Sequence, residues 1–111
     1  MSDLELRLAV AKALGWTTGT TRSGESAMWP PGRNKNGWPY GISCPDYETN
    51  PHAALDAIRE FCDKHELQWE CGQSHSGIHW AIIRVKGSGM IKAHERHADL
   101  AKAICFCIQQ A

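Results

Sequence analysis

The stretch 66–85, ELQWECGQSHSGIHWAIIRV, constrains the fold of this chain more than any other. Two runs rich in β-branched and aromatic residues flank the turn-forming GQSHSG, the pattern of an antiparallel hairpin. Pairing Cys71 with Ile78 places Leu67, Trp69, Cys71, Ile78, Trp80 and Ile82 on one face, which concentrates the large apolar groups there. The other face carries Glu66, Gln68, Glu70 and His79, but also Ala81, Ile83 and Val85. A sheet apolar on one face and half apolar on the other calls for helices on both sides.

Three stretches supply those helices. Ser2-Asp3-Leu4-Glu5 has the capping-box pattern, in which the Ser hydroxyl takes a free helix amide and the Glu reaches back to the cap. Behind it Leu4, Leu8 and Ala11 form one apolar line, Leu6, Val10, Ala13 and Leu14 widen it, and Gly15 supplies a left-handed stop. Thr49-Asn50-Pro51 opens a second helix, since Asn caps well and proline is tolerated at the first helical position. Its stripe is Ala54, Leu55, Ile58, Phe61 and Cys62, with Asp56, Arg59, Glu60 and Asp63 turned to water. The segment KGSGMIKAHER reads as a loop, and a third helix from about His97 buries Ala98, Ala101, Ile104, Cys105 and Ile108, leaving Phe106 on its polar side. A short strand at YGISC, residues 40–44, joins the hairpin. The expected class is α/β of the α+β kind: a three-layer α-β-α sandwich with a small, mostly antiparallel sheet and about three helices. At 111 residues it forms one domain spanning 1–111.

Twelve Lys and Arg balance twelve Asp and Glu, so general attraction to nucleic acid or anionic lipid is not expected. No run approaches the ~18 apolar residues of a spanning helix. The opening MSDLELRLAV lacks the pattern of a secretory signal, and five cysteines without framework spacing fit reduced thiols in a cytosol.

The candidates for metal and thiol chemistry fail on spacing. His94-Glu95-Arg96-His97 is one residue short of the motif that sets two imidazoles a helical turn apart around zinc, and offers only two ligands. Cys105 and Cys107 stand about 200° apart around a helix and cannot share an ion. Cys71 and His79 fall on opposite faces of the hairpin in the register above, with His75 in the turn. Cys62 and His65 are near in sequence, but Cys62 belongs to the buried stripe. Lys86-Gly87-Ser88-Gly89 with Lys92 lacks the full spacing of a phosphate loop and reads as a strand-to-helix connection. No metal or cofactor is expected.

The span 17–48 contains no amphipathic helix, and structureless segments of that length are often functional. Within it MWPPGRNKNGWPY, residues 28–40, combines Trp29, Trp38 and Tyr40 with Arg33 and Lys35. Aromatic platforms beside cations can stack on a base or anchor a protein partner. These five residues are the candidate site, set against the alternative that both tryptophans fold back as core cover.

The segments DLELRLAVAKALGW, PDYETNPHAALDAIREF and AICFCIQQA, in this order, resemble the phage ABA sandwich domain family of small bacteriophage and prophage proteins. The shared marks are Gly15-Trp16 closing the first helix, the lead Pro45, Tyr47 and Thr49 with Ala53 and Ala54 after it, and Ala103-Ile104-Cys105 in the last helix. Glu48-Thr49-Asn50 departs from the family's usual Ser-Thr-Asp lead. The resemblance implies a layered α-β-α fold and a phage setting, and brings no catalytic motif. The expectation is a non-enzymatic phage or prophage accessory protein in the host cytoplasm, binding a host protein or small-molecule ligand, with counter-defence as a role and homo-oligomers through the hairpin edge as a further contact. The alternative is a small His-dependent hydrolase or nucleotide-processing enzyme using His75, His79, His94 and His97.

Overall fold

A computed structural model of the chain describes residues 2–21, 23–33, 36 and 40–111. In chain order the elements are α1 (Asp3–Ala13), β1 (Thr17–Thr20), β2 (Ser26–Trp29), α2 (Pro51–His65), β3 (Leu67–Gln73), β4 (His79–Val85), β5 (Ile91–His97) and α3 (Leu100–Gln110). The class is α+β, with three helices, one two-stranded and one three-stranded antiparallel sheet, as the sequence indicates.

The helix boundaries follow local chemistry. The Ser2 hydroxyl accepts from the Glu5 amide at 3.2 Å, and Gly15 at φ +95° turns the chain out of α1. The Asn50 side chain accepts from the amides of His52 and Ala53 at 3.0 and 3.3 Å, with Pro51 in the first turn where its missing N–H costs nothing. Asp99 does the same for α3, taking the Ala101 amide at 2.9 Å. α2 ends on Glu66, which sits in the left-handed region at φ +56° without being glycine.

The hairpin forms, three residues out of the expected register. Cys71 lies opposite Ala81, and Trp69 opposite Ile83. The turn is tighter than residue composition suggests: the Ser74 amide donates to the Ile78 carbonyl and the Gly77 amide back to Ser74. An odd shift exchanges faces on one strand. Leu67, Trp69 and Cys71 therefore share a face with Ala81, Ile83 and Val85, while Trp80 and Ile82 turn to the other side. The reason is packing against α3. Ala81 and Ala93 are small enough to let that helix approach, and the Cys107 thiol reaches the Ala81 carbonyl at 3.4 Å.

A third strand stands where a loop and helix start are expected. IKAHERH pairs with β4, His79 opposite His97 and Ile83 opposite Ala93, with Lys92 left over as a bulge. The sequence signal is faint because Ala93 is the strand's only fully buried residue. Lys86–Gly89 is the β4–β5 turn, its two glycines at φ +87° and +71°.

The core gathers Leu6, Val10, Leu14, Ile58, Phe61, Ile83, Ile104 and Ile108. α2 packs on β3, α3 packs on β4 and β5, and α1 packs on α3. The helices thus stack on one face of the three-stranded sheet, not on both as the apolar groups of the hairpin suggest, and its second face keeps Trp80, Ile82 and Arg84 half-buried and His94 and Arg96 exposed. β1 and β2 form a separate ribbon with Thr17 opposite Trp29.

Candidate functional site

Residues 40–44 do not join the hairpin. They run beside β2, where the Ile42 amide donates to the Met28 carbonyl at 2.9 Å. Gly41 makes this approach feasible. At φ +65° it occupies the left-handed region, and a side-chain carbon there would meet the Met28 carbonyl oxygen at 2.6 Å. The segment thereby closes one wall of a cleft of about 360 Å³, whose other walls are α1 and β2. Leu4, Leu8, Met28, Tyr40 and Ile42 line it, with Arg7, Ser26, Ser43 and Cys44 supplying its polar parts.

Arg7 is fixed from beneath. Its Nε donates to both carboxylate oxygens of Glu48 at 2.9 and 3.1 Å, a terminal nitrogen donates to the same carboxylate, and the other contacts Asp46 at 3.1 Å. Glu48 is fully buried, and a carboxylate there is tolerated only because the guanidinium grips it bidentately. The hydrogen bonds from Arg7 hold its carboxyl below the ordinary glutamate value, and the guanidinium's own pKa is raised in return. Cys44 is buried, and desolvation pushes its thiol up against the opposing pull of Arg7. It is therefore a poor nucleophile.

Of the sequence-predicted site residues, Tyr40 is 83 % exposed and lines this cleft. Arg33 is exposed. Trp29 is buried, with its ring against Gly19, so its indole belongs to the scaffold rather than to a stacking platform. Lys35 and Trp38 lie outside the described residues.

The first helix carries the residues that sequence reasoning placed elsewhere. Leu4 and Leu8, read as core, are exposed at 57 % and 38 %, while Leu6, Val10, Ala11 and Leu14 form the buried stripe. Leucines on nearly every side of α1 are a surplus that one packing partner cannot absorb. That surplus was the available signal for a surface here.

The histidines do not converge. His75 sits in the β3–β4 turn, His79 and His97 are cross-strand partners, and His94 lies on the opposite face of β5 from His97, because three residues along a strand reverse direction. The observed register does put Cys71 and His79 on one face, contrary to expectation. Even so, among the described residues no group of three or more His, Cys, Asp or Glu is placed to hold a metal ion. All five cysteines are free, and burial raises the thiols of Cys62 to about 11 and of Cys105 and Cys107 to about 12. His65 packs its ring on Phe61 at the exposed end of α2, apart from thiol chemistry. No helix among the described residues is long and apolar enough to cross a membrane. Comparison with known protein families, with curated proteins and with solved structures finds no match to the chain.

Proposed function

We propose that the chain is a non-enzymatic accessory module, of the kind phages and prophages carry, that binds a host protein through the cleft between α1, β2 and residues 40–44. One observation carries this reading. Among the described residues the exposed large apolar side chains are Leu4, Leu8, Tyr40, Ile42, Met90 and Ile91, and the first four line this cleft. Single exposed apolar groups need no explanation, whereas a cluster around a concave surface marks an interaction site. A second apolar hollow continues it over Leu8, Thr18, Gly19, Ala27 and Met28. Arg7 gives the surface a rigid polar point, since all three guanidinium nitrogens are held by Glu48 and Asp46. The phage setting and a counter-defence role rest on the resemblance of the three segments quoted above.

The test is capture of host proteins on immobilised chain, comparing wild type with Leu8→Glu and Tyr40→Ala. A protein retained by wild type and lost by both variants supports the reading. Retention by both variants at wild-type level sinks it.

A further inference from the structure

The sheet face turned away from the helices carries a second constellation. On β4, Trp80 lies opposite Gly72 of β3 and opposite Arg96 of β5, so the three form one cross-strand row. The indole lies across the glycine: a side-chain carbon at Gly72 would stand 2.7 Å from Cζ2 and 3.0 Å from Cε2 of the ring. Glycine thus lets the ring settle on the sheet, and beyond it opens a hollow of about 320 Å³ bounded by Ser74, Ser76, Ile78 and Arg96.

The charges around that hollow are unbalanced. Arg84, on the same face, is neutralised by Glu70, its Nε donating at 2.9 Å. Arg96 is exposed and makes no ion pair or side-chain hydrogen bond with a described residue, and His94 stands two residues along on the same face. Glu95 turns to the helices, as its pairing with Ala81 requires. The Ser74 and Ser76 hydroxyls meet each other at 2.9 Å at the rim. A ring platform, an uncommitted guanidinium and two hydroxyls suit a ligand with a planar ring and an anion a few ångströms apart.

We infer that this face binds a nucleotide unit, its base stacked on Trp80 and its phosphate on Arg96 with the Ser74 and Ser76 hydroxyls. The unit comes either from a free nucleotide or from a single strand. The net charge of zero means that attraction is local and fades with salt, without a long-range field to recruit polymer.

The experiment titrates the full chain at low salt with adenosine monophosphate and, separately, with a short oligothymidylate, reading tryptophan quenching and the NMR shift of the Trp80 indole N–H. The expected result is saturable binding that moves the Trp80 signal. Arg96→Gln, at an exposed position, should keep the thermal midpoint and lose about tenfold in affinity, the usual scale for one charge-assisted contact. Trp80→Leu should lose a similar factor. Should that variant misfold, Trp80→Phe, which keeps a ring, should retain most of the affinity. Comparable binding of both probes points to free nucleotide, and binding of the oligomer alone to a strand. Silence with both probes, or an Arg96→Gln affinity equal to wild type, overturns the inference.

Discussion

The Arg7–Glu48 pair shows how much a single position can hold. Removing the guanidinium leaves a carboxylate buried without its charged partner, and the buried charge rather than the lost attraction sets the cost. Arg7→Met should lower unfolding free energy by about 3 kcal/mol, the low end for such pairs because the arginine is partly exposed. Urea denaturation measures it. The pair also fixes a pH dependence. Glu48 has a depressed pKa in the folded state, so the unfolded chain binds the proton more readily. The stabilisation is complete above the ordinary glutamate value of 4.5 and is lost as pH falls through the lower folded value. Between about pH 6 and about pH 3 the wild type should therefore lose more stability than Glu48→Gln, which has no carboxyl to protonate. At Gly41 the backbone decides. Gly41→Ala meets the Met28 carbonyl from a left-handed φ, and a loss of about 1–3 kcal/mol is expected together with displacement of residues 40–44 from β2. Chemical-shift changes confined to the cleft would report that displacement.

Among the elements, the hairpin register has the largest consequence. In the observed pairing Ile83 is fully buried against the helices and Ile82 lies on the second face. Ile83→Ala should cost about 2–5 kcal/mol and Ile82→Ala distinctly less. The register read from sequence gives the reverse order, so paired denaturation curves discriminate the two. Hydrophobic pattern alone places the largest side chains together on the core face. The fold instead buries Ala81 and Ile83 beneath α3 and leaves the larger Trp80 lying over Gly72 on the other face. Helix approach, with Cys107 at 3.4 Å from the Ala81 carbonyl, sets that choice. The helix caps needed no such arbitration. Asn50→Ala should cost about 1 kcal/mol, measurable as a lower thermal midpoint, because its two amide contacts are local and complete.

At the scale of the whole molecule the chain is elongated, about 51 × 30 × 20 Å, with a radius of gyration of 15.2 Å where a compact chain of this length would have about 13 Å. α2 and α3 stack on one face of the three-stranded sheet, α1 packs on α3, and the β1–β2 ribbon borders the cleft beside α1. Among the described residues, such an arrangement leaves two surfaces without internal cover: the apolar cleft beside α1, and the sheet face with Trp80 and Arg96. They differ in chemistry, one dominated by aliphatic groups and Tyr40, the other by an indole and a cation that has no ion pair among the described residues. Leu8→Glu tests whether the first is surface rather than damaged core. Its thermal midpoint should stay close to wild type while partner capture is lost, whereas Leu6→Glu, fully buried, should unfold the chain.

Local chemistry along the chain is enough to set the caps at Ser2 and Asn50, the stop at Gly15, the stripe of α2, the existence of the hairpin, and the α+β class. The sequence also drew attention to the segment that holds Tyr40, which does line the cleft. What it left open turns on the choice of packing partner. Whether Leu4 and Leu8 or Leu6 and Val10 are buried depends on where α3 docks, since α1 is apolar on most sides. Which hairpin face is covered depends on turn geometry, where an odd slip exchanges the faces. That IKAHERH is a strand depends on β4 offering an edge, because only Ala93 is fully buried. Those decisions belong to the tertiary structure, since each balances burial of one surface against another that local pattern makes almost equally apolar.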